Sequence, residues 1–317
     1  MSNCGPLGQT AVVVVHYGGI QDTIDCLRSL LGSNAEYVIA VIDNGPHDAD
    51  IKLAAELDSR IVVLSPDKNE GFAAGCNIGI RWLLKSSNCD SILLLNNDAT
   101  VRPETIETLR SAMEQDQDIG LTVPKVVVKG NTEILWYGGA ELKWYVGGAV
   151  IPGVNGPSDS KLANEERDVA FASFCAVLIR ASVIREIGYL DERFFMYEED
   201  VNYCQRVIGA GLRIHYVPRA VVEHKRQGST SEDGEQYVPP LRPKNPNFDF
   251  FLKYIVRNRL FNILQTRTGV DRLIFLFGWL LWVVKLALRI ITSGRLRSLA
   301  VLGEAICDGF LMQWNSE

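Results

Sequence analysis

The sequence predicts an α/β protein with a mostly parallel central sheet and helices on both faces. Four short apolar runs predict the strands: "AVVVVHY" (11–17), "YVIAVID" (37–43), "RIVVLSP" (60–66) and "SILLLNN" (91–97). Their length and β-branched content suit strands buried on both faces. Between and after them lie segments with helical spacing, and strands alternating with helices imply parallel pairing. The 317 residues, 47% hydrophobic and 22% charged, suffice for one large α/β domain with appendages.

Taken in order, the first strand ends at His16-Tyr17. "DTIDCLRSLL" follows as a helix with Asp22 or Thr23 as cap and Ile24, Leu27, Leu30 and Leu31 on one face. The second strand ends at Asp43-Asn44-Gly45, and "DADIKLAAEL" reads as helical. After the third strand, "GFAAGCNIGIRWLLKS" (71–86) is a helix entered through Gly71. Its Gly71, Gly75 and Gly79 are spaced by four, which suits close helix packing better than a phosphate turn. The fourth strand ends at Asn96-Asn97-Asp98, and "PETIETLRSAMEQ" is a helix with Pro103 in its first turn. Ligands bind beyond the carboxyl ends of strands in such sheets. An ordinary turn explains any one polar ending. Together, His16-Tyr17, Asp43-Asn44, Asn69 and Asn96-Asn97-Asp98 would open onto one edge as a composite site.

The middle of the chain is less regular. Residues 122–156 mix short strands with many glycines, a β-rich flap or an acceptor-facing region. Residues 169–230 read as strand, short helix, acidic loop, helix, strand, and a loop from Glu223 onward. Residues 231–247 are Pro-rich and polar, a loop or linker.

Net charge is -6, yet residues 250–303 hold nine Lys and Arg against the single acid Asp271. A local charge of +8 points to an anionic partner. The centre of that segment, "LIFLFGWLLWVV" (273–284), is apolar, a poor match to a nucleic-acid patch. Its twelve residues fall short of the about 20 that a spanning helix needs. With Trp279, Trp282, Arg272, Lys285 and Arg289 it suits an interfacial helix on a cytoplasmic leaflet; a buried core helix is the alternative. Seven scattered cysteines without a C-x-x-C pair indicate reduced thiols and a cytosolic compartment. "MSNCGPLGQT" lacks a basic start and apolar core, so no signal peptide is expected.

Two constellations could carry chemistry. Glu198, Glu199 and Asp200 precede a helix, where acids cap and complement the dipole. Three acids exceed what capping needs, and Phe194, Phe195, Met196 and Tyr197 form an apolar wall that could raise a carboxylate's pKa. A general base and a cap are both open on this evidence. His224 ends an apolar strand, either as a lone histidine or, with Asp98, as a site for Mg²⁺ or Mn²⁺. A nicotinamide-binding Rossmann enzyme is the rival α/β reading. It requires G-x-G-x-x-G after the first strand, where this chain has "HYGGIQDT".

Six stretches in order, "VVVVHYGGIQDTIDCLRSLL", "VIDNG", "NEGFAAGCNIGI", "LLLNNDATV", "GYLDERFFMYEEDVNYCQR" and "VEHKRQGST", span about residues 10–230. In these the chain resembles family 2 glycosyltransferases with the GT-A fold, close to bacterial rhamnosyltransferase-like members of cell-surface polysaccharide assembly. The resemblance implies a catalytic domain over 1–235, with a nucleotide-sugar half to about 125 and an acceptor half beyond, then a linker and C-terminal helical region over 236–317. It implies that Asp43 accepts a hydrogen bond from the nucleotide's base. Tyr17, Asn69, Gly71, Asn77, Asn96 and Asn97 would line the nucleotide-sugar pocket, with Asn96-Asn97-Asp98 standing for the family's D-x-D. Asp98 and His224 would ligate Mg²⁺ or Mn²⁺, Asp200 would be the catalytic base, and Glu199 would position acceptor or sugar.

The implied reaction is inverting transfer from a nucleotide sugar, dTDP-rhamnose first and UDP-sugars next, to a lipid-linked glycan at the inner face of the cell membrane. Three positions depart from the pattern. Asn96 replaces the first acid of D-x-D, Asn202 stands where many relatives have Asp, and "HYGG" makes His16 an extra strand-end histidine, expected to be hydrogen-bonded. A scaffold that has lost catalysis is the non-enzymatic alternative; the joint presence of Asp98, Asp200 and His224 argues against it.

Overall fold

Valine, isoleucine and leucine build the first half of the sheet. A computed structural model of the chain describes residues 9–33, 37–45, 49–226 and 238–314. The chain begins β1 (Gln9–His16), α1 (Ile20–Leu31), β2 (Val38–Asp43), α2 (Lys52–Leu57), β3 (Ile61–Leu64), α3 (Gly71–Ser86) and β4 (Cys89–Asn96). Ala11–Val15, Ile39–Ile42 and Ile92–Leu95 are buried on both faces, which is why these runs are continuous rather than alternating. The four strands pair in parallel in the order β4-β1-β2-β3.

Helix starts depart in detail from the sequence signals. α1 begins at Ile20 behind Gly19, whose φ of 64° is left-handed, so Asp22 and Thr23 lie in the first turn and are not its caps. The segment from Ala49 opens as a short 3-10 turn before α2. The glycines of α3 do serve close packing, since a Cβ on Gly79 would press into the Val13 methyls of β1.

The chain continues β5 (Ala99–Val101), α4 (Thr105–Glu114), β6 (Ile119–Val128), β7 (Asn131–Tyr137), β8 (Glu141–Lys143), β9 (Gly148–Val150), β10 (Arg167–Asp168), β11 (Ala176–Arg180), α5 (Ala181–Ile187), α6 (Glu199–Gly209) and β12 (Arg213–His224). The full order is β10-β12-β6-β11-β4-β1-β2-β3. The parallel sheet that the alternation predicts is thus realised over β4-β1-β2-β3, and the sheet is mixed beyond it. β11 runs antiparallel to both β4 and β6. It is reached through residues 129–175, which carry the short strands β7 to β10 rather than a crossover helix, and it enters from the opposite end.

Three helices complete the fold: α7 (Phe248–Thr266), α8 (Gly269–Thr292) and α9 (Ser298–Trp314). They share a second apolar core made by Leu252, Val256 and Leu260 of α7, Trp279, Val283 and Leu286 of α8, and Leu302 and Ala305 of α9. The apolar run 273–284 occupies half of α8, a 24-residue helix, about 36 Å long at 1.5 Å per residue. Among the described residues it is the one helix long and apolar enough to cross a membrane. Part of the +8 of residues 250–303 is turned inward. Arg259 pairs with Glu198, Arg267 lies over Phe275 and Arg295 over Phe248.

Candidate active site

Strand register puts the polar endings side by side. His16 stands opposite Asp43 and Val15 opposite Asn96, so Asp43 and Asn96 flank the end of β1. Two strand spacings separate them, roughly 10 Å. Asp43 is buried, with the Ser65 hydroxyl 3.4 Å from Oδ2. Asn44 fastens the loop after β3: its Oδ1 accepts from Glu70 N–H at 2.9 Å and its Nδ2 donates to Gly71 O at 3.0 Å. Asn69 accepts from Gly71 N–H at 2.9 Å. Tyr17, the residue after β1, is exposed.

Two predicted pocket residues have structural duties. Gly71 has φ 83°, and a Cβ there would overlap the Phe195 carbonyl, which receives Phe72 N–H at 2.7 Å. The Asn77 amide is spent on the protein itself. It is fully buried, with Nδ2 donating to Leu190 O at 2.8 Å and Glu192 Oε1 at 2.9 Å, and Oδ1 accepting from Leu190 N–H at 3.1 Å. Its amide therefore fixes the 190–192 turn against α3; a buried Asn reads the same in sequence whether it binds ligand or backbone.

The opening amides of the D-x-D-like turn are divided between two tasks. Asn97 donates to Thr23 Oγ1 at 3.0 Å and to Gly18 O at 3.3 Å, and Thr23 Oγ1 also meets His16 Nδ1 at 2.8 Å. His16 is thereby the hydrogen-bonded strand-end histidine expected, and Asn97 shapes the turn. Asn96 Nδ2 lies 3.3 Å from His224 Nε2. The chain then enters β5, which pairs with the end of β12 so that His224 stands opposite Ala99. This brings His224 Nε2 to 3.1 Å from Asp98 Oδ1.

Burial pushes the Asp98 carboxyl up, but the charge and hydrogen bond of His224 outweigh it and hold it below its ordinary value. Asp98 Oδ2 and His224 Nδ1 are buried with no hydrogen-bond partner among the described residues. An ionised carboxylate with a spare oxygen beside an imidazole nitrogen fits a divalent cation that takes its remaining ligands from a diphosphate and water. Among the described residues no group of three His, Cys, Asp or Glu could hold a metal alone. The indole of Trp136 stacks on His224, with centroids 6.1 Å apart and planes at 25°.

The acid loop approaches from the other side. Glu198 occupies the N-cap position of α6 but makes no capping bond from its side chain, so capping does not account for it. Tyr197 and Glu198 have φ of 68° and 70°, conformations that cost non-glycine residues about 1–3 kcal/mol each and persist only where surroundings impose them. Asp200 Oδ1 accepts Val201 N–H at 2.8 Å, and its carboxylate also takes Phe174 N–H. The next residue, Cys175, accepts Asn96 N–H at 2.9 Å through its carbonyl. Asp200 and the end of β4 therefore meet across the two residues before β11. Burial first, then the fields of Asp98 and Asp200, push the Cys175 thiol up to about 12.

The three acids are not equivalent. Burial and then the Glu198 charge raise the Asp200 carboxyl to about 7. Burial and then the Asp200 charge raise Glu199 well above the carboxylate range. Glu198 instead is ion-paired with Arg259 of α7 at 2.8 Å. Both carboxyls of the Glu199–Asp200 pair are thus raised above the ordinary carboxylate range, while Glu198 is charge-compensated. Asn202 is buried and donates to Asn262 Oδ1 of α7 at 3.3 Å, so it joins the two helices.

The structure brings Tyr17, Asp43, Asn69, Asn96 and Asp98 to the ends of the parallel strands. His224 and Asp200 reach the D-x-D-like turn through β12 and β11. Sequence reasoning missed Trp136 and Arg259, and took Thr23 for a helix cap rather than a partner of His16 and Asn97. The three-acid run was the one available signal, since a Glu198 not needed as a cap implies a basic partner elsewhere.

The sequence profile of the glycosyl transferase family 2 matches residues 11–188. The chain is 24% identical over 275 residues to the low-salt glycan biosynthesis hexosyltransferase Agl10 of Haloferax volcanii, covering 86% of this chain and 84% of that protein. It is 26% identical over 245 residues to the N-acetylglucosaminyl-diphospho-decaprenol L-rhamnosyltransferase of Mycobacterium tuberculosis, covering 72% of this chain and 79% of that one. In fold it is similar to the crystal structure of GalNAc-T7 with UDP, GalNAc and Mn²⁺, at a TM-score of 0.58 and 19% identity. That match covers 78% of this chain and 48% of the other, so the chain spans about half of that structure.

Proposed function

The chain belongs to glycosyl transferase family 2, and from that premise we propose inverting transfer of a sugar, rhamnose from dTDP-rhamnose first, to a hydroxyl of a lipid-linked glycan. Asp43 and Tyr17 receive the base of the nucleotide. At the end of β4, Asp98 and His224 are the residues that would hold Mg²⁺ or Mn²⁺ against the diphosphate. A divalent cation supplies charge compensation at the departing nucleoside diphosphate. The Asp200 carboxylate takes the proton of the acceptor hydroxyl. The acceptor oxygen bonds to C1 of the sugar as the bond from C1 to the diphosphate oxygen breaks, and one displacement inverts the centre. Glu199 positions acceptor or sugar.

The observation that carries this reading is the meeting of Asp200 with the Asn96–Asp98 turn across Phe174 and Cys175. The similarity to the N-acetylglucosaminyl-diphospho-decaprenol L-rhamnosyltransferase favours rhamnose and a lipid diphosphate acceptor. The test is a panel of nucleotide sugars with Mn²⁺ and decaprenyl-diphospho-N-acetylglucosamine, read by released nucleoside diphosphate. Asp200→Asn keeps donor binding and loses transfer about 100-fold or more, the weight of a general base. Wild-type transfer by that variant removes Asp200 from its role.

We also propose that α8 lies on a membrane surface at the cytoplasmic face. Phe275, Trp279, Val283, Leu286 and Ile290 face the protein, while Leu273, Phe277, Leu280, Val284, Leu288 and Ile291 form an exposed apolar stripe. A third of the apolar window of the helix is buried against the protein, which favours lying on the bilayer over crossing it. Lys285, Arg289 and Arg297 are exposed near the stripe, and each contributes about 1 kcal/mol near an anionic leaflet.

A further inference from the structure

The loop that delivers Asp200 is held by groups outside its own domain. Tyr197 and Glu198 carry consecutive left-handed backbone angles immediately before α6. The fully buried Asn258 of α7 forks its Nδ2 across Met196 O and Tyr197 O, each at 2.8 Å. Arg259, one residue on, donates from Nε to Glu198 Oε1 at 2.8 Å. The Arg259 guanidinium is itself fixed, 4.5 Å from the Trp282 ring of α8 and 3.4 Å from Val146 O through Nη1. Further along α7, Asn262 accepts from Asn202, and Thr266 donates to Gln205 Oε1 at 2.8 Å. One face of α7 thus follows the acid loop and α6. Its polar groups at 258 and 259 meet the backbone and carboxylate that directly precede the Glu199-Asp200 pair.

We propose that Asn258 and Arg259 are positioning residues for sugar transfer, which makes the C-terminal helices part of the catalytic apparatus rather than an attachment alone. The inference rests on the reading of Asp200 as the base. An ordinary helix–helix interface would need only apolar contact, which Phe194 and Phe261 provide with ring centroids 5.3 Å apart. The buried amide fork and ion pair add something different: they fix the direction of the chain at the two residues whose backbone is left-handed. Release of either contact lets the loop relax and turns Asp200 away from the acceptor oxygen. A misplacement of 1 Å can lower a rate about 100-fold.

The experiment is a double-mutant cycle on the full chain with the donor identified by the panel and the decaprenyl-linked acceptor. Asn258→Ala and the pair Arg259→Met with Glu198→Gln are measured alone and in the Asp200→Asn background. The pair removes both charges, so no unpaired buried ion threatens folding. Each set lowers kcat about 10-fold or more, with donor KM and the stoichiometry of Mn²⁺-dependent dTDP or UDP binding within about twofold. In the Asp200→Asn background the further loss is less than about twofold, because the base through which these residues act is gone. Arg259→Lys, which keeps the charge opposite Glu198, restores most of the rate.

Equal losses in both backgrounds, a parallel fall in nucleotide-binding stoichiometry, or no loss at all would overturn the inference and leave the base assignment standing. Full transfer by Asp200→Asn alone overturns the base assignment, and this inference with it.

Discussion

With Asp200 as the proposed base, burial and the Glu198 charge set both activity and stability against pH. A base must be unprotonated, so kcat/KM rises with pH along a limb centred near 7, the value to which this carboxyl is raised. A flat profile from pH 5 to 8 counts against the assignment. The stability effect has the opposite direction. The folded-state value lies above the ordinary carboxylate near 4, so the folded protein binds the extra proton. Its contribution to stability is complete below about 4 and is lost as pH rises through about 7. Asp200→Asn removes that loss, so the variant melts above the wild type at pH 8, and thermal melts show the gap closing toward pH 4. Asp98→Ala acts on the other chemistry. It removes an ionised oxygen at 3.1 Å from His224 Nε2, and calorimetry of nucleotide binding loses its dependence on Mn²⁺.

Among the elements, the α3 N-terminus joins the two halves of the site. Phe72 N–H bonds Phe195 O, and Gly71 at φ 83° leaves no room for a side chain beneath that carbonyl. Gly71→Ala forces apart the nucleotide-side loop and the acid loop. A loss of about 1–3 kcal/mol is expected, the cost of a strained backbone position, visible as a lower Tm. Donor KM rises with it, because Asn44 and Asn69 both bond the Gly71 peptide. An unchanged Tm would place the strain elsewhere. The same closeness explains why a helix entered through glycine follows β3 at all.

The molecule as a whole combines an acidic chain with one basic, apolar edge. The outward stripe of α8 leaves Phe277, Leu280 and Leu288 all more than half exposed, unusual for a surface without a partner. Phe277→Glu, Leu280→Glu and Leu288→Glu together abolish sedimentation with vesicles containing phosphatidylglycerol. They leave Mn²⁺-dependent nucleotide binding intact, since none touches the site. Binding of the triple variant equal to wild type would exclude this face.

The parallel block and its composite rim were legible because a strand buried on both faces must be a continuous apolar run, and its polar ending is then conspicuous. The family was legible because its motifs, which hold Asp43, Asp98, Asp200 and His224, are short local stretches. The backbone duties of Asn77 and Gly71 were not legible, because sequence does not distinguish a polar or small residue that serves a ligand from one that serves the backbone. Only the tertiary structure set β11 antiparallel beside β4, placed Phe174 and Cys175 between Asp200 and Asn96, and drew Arg259 to Glu198 across 61 residues. Those pairings depend on direction and distance between elements, which long-range packing fixes and local residue patterns do not contain.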